Sequence, residues 1–142
     1  MNSDDDTTSL AARAAISDLI NQYAFNVRHG LGAQSGKLFA EDAAFEVRYA
    51  RFETGEVERL DAQLQGRGSI AEYLTAASER GRLCPVISNL IIEVQGDRAE
   101  SSSVMSMLLP AEHNFTGEYR DTFIRDDDGE WRFSSRIFTI YL

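Results

Sequence analysis

Gly117-Glu118-Tyr119-Arg120-Asp121-Thr122-Phe123-Ile124-Arg125, Asp126-Asp127-Asp128-Gly129, and Glu130-Trp131-Arg132-Phe133-Ser134-Ser135-Arg136-Ile137-Phe138-Thr139-Ile140-Tyr141-Leu142 form the stretch that decides the fold. Two runs rich in aromatic and β-branched residues flank an Asp-Gly turn, the pattern of a β-hairpin. The turn permits a register that pairs Tyr119 with Ile137 and Phe123 with Phe133. Asp121 then shares an apolar face with Tyr119, Phe123, Trp131 and Ile137, while Arg120, Thr122, Arg132, Ser134 and Arg136 take the other face. A carboxylate among rings has a raised pKa, which suits a general acid or base near neutral pH. The alternative is a carboxylate bonded to backbone or to a basic residue. A one-residue bulge would reverse the facing of everything beyond it.

Upstream, residues 86–94 and 99–109 read as two further strands, with a Gly96-Asp97 turn between them and Pro110 as a stop. Residues 9–30 read as a helix. Ile16, Leu19, Ile20, Tyr23 and Val27 recur at three- and four-residue steps, Thr7, Thr8 or Ser9 can cap its start, and Gly30 can end it. A short helix over 33–40 is weakened by Gly36. Phe45, Val47 and Tyr49 alternate with Glu46 and Arg48 as in a half-buried strand. Residues 52–65 fit either a ragged strand pair or a lid. Ile70, Tyr73, Leu74 and Ala77 make 68–80 helical. Helices first and an antiparallel meander after is the α+β pattern. The expected organisation is an acidic, disordered tip over 1–8 and a single domain over 9–142.

Composition narrows the function. The 142 residues are 43% hydrophobic, enough for a core, and carry 14 basic against 23 acidic side chains, for a net charge of −9. That surplus argues against nucleic acid and against an anionic membrane as partners. No apolar run approaches the roughly 20 residues of a spanning helix, and the acidic start is unlike a secretory signal, so the expected location is cytoplasmic. The run Asp126 to Asp128 lacks the alternating acids of a calcium loop and reads as a solvated turn. Two histidines and one cysteine, Cys84, offer no zinc spacing, and no phosphate-binding glycine motif is present. No metal and no cofactor are expected.

Three pieces then carry a resemblance. The first is Tyr23 on a helix followed by Leu38-Phe39-Ala40-Glu41-Asp42-Ala43 and a Phe-led strand. The second is Ser88-Asn89-Leu90-Ile91-Ile92-Glu93-Val94-Gln95-Gly96-Asp97-Arg98-Ala99. The third is Gly117-Glu118-Tyr119-Arg120-Asp121 with Gly129-Glu130-Trp131-Arg132-Phe133 and Arg136. In this order they resemble the SnoaL-like branch of the NTF2-like (cystatin-like α+β) superfamily, over nearly the whole chain. The resemblance implies a cone: a strongly curved, mostly antiparallel sheet wrapped around about three helices, with an internal pocket. Its members include scytalone-dehydratase-like enzymes, bile-acid dehydratases, steroid isomerases, polyketide cyclases and β subunits of ring-hydroxylating dioxygenases. Dehydratase-type members carry an aspartate five residues after the helix-1 tyrosine, where this chain has Arg28. They carry a histidine four residues before the strand asparagine, where this chain has Pro85. The usual His–Asp pair is therefore replaced, and Tyr23 is the element of the set that carries over.

The expected catalytic residues are Tyr23, Tyr49, Asp121 and Arg28. Arg28 stands where a carboxylate is usual, and either holds a substrate anion or pairs with Glu46, Asp42 or another acid. The expected substrate contacts are Asn26, His29, Met105, Tyr119 and Phe123. His29 lies about 100° around the helix from Arg28, so it either reaches the pocket or sits exposed at the helix end. Met105, beside Met107, can adapt to an irregular ligand or simply fill the core. His113 is placed at the surface or at a subunit contact. These residues suggest a cofactor-independent lyase or isomerase acting by elimination, isomerisation or retro-aldol-like cleavage on a small aromatic or polycyclic hydroxylated or carbonyl compound. The alternatives are a binding module without turnover and a structural partner resembling a dioxygenase β subunit. The resemblance implies a homodimer or homotrimer formed through the outer face of the sheet, where Phe138 and Ile140 would need cover.

Overall fold

A computed structural model describes residues 3–81, 83–107 and 115–142. The order is α1 (Ser3–His29), α2 (Gly32–Gly36), β1 (Phe39–Ala50), β2 (Val57–Gln65), α3 (Arg67–Glu79), β3 (Pro85–Gln95), β4 (Arg98–Met107), β5 (Phe115–Arg125) and β6 (Trp131–Tyr141). Pro110 and His113, and Met1 and Asn2 of the expected tip, lie outside the described residues. The six strands form one sheet in the order β2-β1-β6-β5-β4-β3, with every neighbouring pair antiparallel except β1 and β6. This is the expected α+β architecture, with the helices of the N-terminal half laid against the inner face of the sheet.

The helical spacing of α1 delivers Ala12, Ile16, Ile20, Tyr23 and Asn26 to the interior. The helix begins at Ser3, six residues before the first expected position, and Arg13 Nη1 ties it to Ile92 O at 2.7 Å. Gly30, with φ of 71°, ends it, and Leu31 N donates back to Asn26 O at 2.8 Å. The second helix is shorter than its sequence suggests, because Phe39 already belongs to β1. Residues 57–65 are an edge strand rather than a lid, paired to β1 through two register shifts. The tight turn at the acidic run has Gly129 N on Asp126 O at 2.8 Å. Arg132 bonds Asp126 and Asp128 across it and holds the Asp128 carboxyl down at about 2.

One expectation about the deciding hairpin is overturned. Phe123 pairs with Phe133 as expected, but Thr122 pairs with Ser135, Asp121 with Arg136 and Tyr119 with Phe138. Ser134 is thus an extra residue, a bulge that reverses the facing of the rest of β6. Arg136 is fully buried instead of facing outward, and Ile137 borders a groove on the outer face. Phe138 and Ile140 line an interior cavity. The cover they would have needed on an outer face is therefore not required, so these two residues give no support to an oligomer. Asp121, ahead of the bulge, is buried beside Tyr119 and Phe123 as expected. No helix among the described residues is long and apolar enough to cross a membrane.

Candidate active site

Between the concave face of the sheet and helices α1 and α3 lies a cavity of about 630 Å³. Its walls are mostly hydrocarbon and ring: Phe45 and Val47 from β1, Leu74 from α3, Phe115 from β5, and Phe138 and Ile140 from β6. Alternation along β1 sends Phe45, Val47 and Tyr49 inward, while Glu46 and Arg48 pair at 3.3 Å on the opposite face. Four phenols, Tyr23, Tyr49, Tyr73 and Tyr119, enter this apolar lining. Asp61 and Arg80 stand at its exposed rim, and Asp61 is the one carboxylate among the described lining residues. Both approach Tyr73, whose hydroxyl is pushed up by burial and by the Asp61 charge. Arg59 lies over the Tyr49 ring at 4.2 Å.

Beneath the inner phenols sits an ion pair with no exposure to solvent. Arg136 Nε lies 3.1 Å from Asp121 Oδ1, and both side chains are fully buried. The guanidinium carbon is 3.5 Å from the centre of the Tyr119 ring, 4.2 Å from that of Tyr23 and 4.8 Å from that of Phe133. Tyr23 and Tyr119 meet edge to face at 6.1 Å. Desolvation drives the Asp121 carboxyl up from 3.8 to about 6, against the opposing pull of Arg136 and of the Ser101 hydroxyl. Burial also raises Tyr23 and Tyr119 well above the ordinary phenol value, so both stay protonated and can donate hydrogen bonds.

The expected residues divide accordingly. Tyr23, Tyr49 and Tyr119 meet around the cavity, and Asp121 lies behind them. Asn26 is buried on α1, accepting from Gln22 Nε2 at 2.9 Å, and is not part of the lining. Met105 and Phe123 are core residues outside the lining, and it is Met107 that borders the cavity. Arg28 and His29 are exposed on α1 and away from the cavity, with the His29 ring 4.3 Å from that of Phe25. The buried guanidinium expected at Arg28 is instead Arg136. Its facing depends on the Ser134 bulge, which alternation along the strand does not reveal. Asp61 and Arg80 were also missed, because neither falls on an inward-reading pattern. Among the described residues no three His, Cys, Asp or Glu side chains gather as a metal ion would require.

Known proteins place this geometry in a family. The profile of the SnoaL-like domain matches residues 8–137. A Mycobacterium tuberculosis protein of unknown function is 26% identical, with a TM-score of 0.70 over 92% of this chain and 77% of its own. A candidate scytalone dehydratase from Novosphingobium aromaticivorans is 23% identical, with a TM-score of 0.74 over 96% of this chain and 89% of its own. A hexachlorocyclohexane dehydrochlorinase, LinA-type3 from Novosphingobium barchaimii, is 19% identical, with a TM-score of 0.75 over 96% and 91%. No curated protein matches the chain. With a profile that spans nearly all of its length and a curved sheet closed over a cavity, the chain belongs to the SnoaL-like domain family.

Proposed function

We propose that the protein is a cofactor-independent lyase or isomerase acting by acid–base chemistry on a small aromatic or polycyclic compound bearing hydroxyl or carbonyl groups. The observation that carries this reading is the apolar cavity in which four phenols converge below a single carboxylate, Asp61. Such a space takes up a ring system by burial, and its few polar groups fix the orientation of the ligand. Tyr23, Tyr49 and Tyr119 serve as hydrogen-bond donors to a carbonyl or hydroxyl oxygen, where negative charge develops in the transition state. Asp61 accepts the proton from carbon. It returns that proton to the departing hydroxyl in an elimination, where the C–H electron pair becomes the new double bond and water leaves. In an isomerisation it returns the proton to a second carbon. Asp121 does not border the cavity, so its part is to hold Arg136, a positioning role in place of the base suggested by its sequence context. The structural relatives named as a dehydratase and a dehydrochlorinase lend the reading support at the level of fold only.

The test uses solvent isotope. Aromatic and polycyclic hydroxy and carbonyl compounds are incubated with the protein in deuterium oxide and followed by mass spectrometry. At least one compound should gain deuterium or lose water. Tyr23→Phe should lower that rate by about a hundredfold, as loss of an oxyanion donor does, and Asp61→Asn should abolish it. Compounds that bind and return unlabelled and intact would instead identify a binding module.

A further inference from the structure

Among the described residues, Ser103 Oγ and Arg48 Nε are also buried without a hydrogen-bond partner, but Arg136 leaves the most donors unmet on one side chain. A guanidinium has five N–H donors and no acceptor. With Nε beside Asp121, neither Nη1 nor Nη2 meets an acceptor among the described residues, although the residue has no exposure at all. Burying charged donors without acceptors is costly, and native interiors seldom leave them so. The surrounding rings of Tyr23, Tyr119 and Phe133 attract the cation but offer no lone pair in its plane. Asp121 balances the charge of the guanidinium but reaches only its Nε side. The interior therefore carries unused, charged donors at the Nη edge of Arg136.

The position of Arg136 shows where an acceptor would come from. Phe138 and Ile140 follow it at alternate positions on the same face of β6, and both line the cavity. Tyr23 and Tyr119, the two rings that flank the guanidinium, form the inner wall of the same cavity. The cavity assigned above to the substrate is thus separated from the guanidinium by these two rings. A shift of one of these rings would join the two.

We infer that the inner end of the cavity is an anion subsite, in which Arg136 pairs with a carboxylate or phenolate oxygen of the ligand while the ring system occupies the apolar walls. The inference rests on the proposed function for its cavity and extends it by naming the charge of the substrate: an aromatic acid or acidic phenol, held by its anionic oxygen at the inner end, with the remainder directed toward Asp61 at the rim. Bidentate pairing of a guanidinium with a carboxylate supplies both the charge match and the in-plane geometry.

The experiment needs no turnover. Binding of 2-naphthoate and of its neutral isostere 2-naphthamide is measured by calorimetry on the full chain. The carboxylate should bind at least tenfold more tightly than the amide. Asp121→Asn, which removes the internal competitor for the guanidinium, should increase that preference threefold or more. Arg136→Met combined with Asp121→Asn, which leaves no unpaired buried charge, should abolish the preference while the amide still binds. Equal binding of the two probes to the wild type, or a preference that survives loss of Arg136, overturns the anion subsite and leaves the cavity reading intact. Failure of both probes to bind overturns the subsite together with the cavity on which it depends. Should the double variant not fold, the wild-type ratio and its response to Asp121→Asn decide alone.

Discussion

At Asp121, burial and Arg136 pull the carboxyl in opposite directions, and burial prevails, leaving it at about 6 rather than 3.8. The sign of the consequence follows. Because the folded value lies above the unfolded one, the folded state keeps a proton that the unfolded chain has already released. This contribution to stability is complete below 3.8 and is lost as pH rises through about 6. Asp121→Asn cannot titrate, so its stability relative to the wild type should improve between pH 4 and pH 7, by on the order of 2–3 kcal/mol. Urea unfolding of both proteins at each pH measures the difference, and a flat difference would show that Asp121 keeps an ordinary pKa. Part of this was legible in the sequence, since alternation alone placed Asp121 among Tyr119 and Phe123. Its partner was not, because Arg136 reads as outward-facing without the bulge.

The bulge at Ser134 is the element on which the site depends. In an unbroken strand Phe133 and Arg136, three positions apart, face opposite ways; with one extra residue between them both face inward. Everything after it, including Phe138 and Ile140, then turns toward the cavity. The next two side chains therefore make a discriminating pair. Phe138→Ser, which removes a ring stacked on Tyr119 at 4.7 Å, should cost about 2–3 kcal/mol, whereas Ile137→Ser on the outer face should cost about 1 kcal/mol or less. Chemical denaturation of the two variants reads the facing directly, and the reverse order of costs would restore the unbulged register. Close approach reinforces this arrangement at Gly117, where a Cβ would meet the Thr139 carbonyl oxygen and, at 3.0 Å, the Phe138 ring.

At the scale of the whole molecule, the helices pack on the sheet through a shared core of residues such as Ile16, Ile70, Phe39 and Phe133 and, beside it, enclose the cavity. A ligand that binds only the folded state at a hundred times its dissociation constant adds about 2.7 kcal/mol to stability. Ala77, in the lining contributed by α3, offers a way to close the space without touching the phenols. Ala77→Trp should leave the fold intact and abolish the thermal stabilisation produced by 2-naphthoate; unchanged stabilisation would place the ligand elsewhere. The period of 3.6 in α1 and α3, the period of 2 in β1 and β5, and the Asp-Gly turn were readable from the chain, because each depends on neighbours a few residues away. Those local patterns, together with the order of helices and strands, determined the α+β class and the inward placement of Tyr23, Tyr49 and Asp121, and the three quoted stretches carried the resemblance to the family. The tertiary structure alone decided that β6 runs parallel beside β1, that Arg136 and not Arg28 is the buried cation, and that Asp61 reaches the rim. Each of those outcomes depends on contacts between segments far apart in the chain, where a single extra residue in one strand changes the face that every following side chain presents.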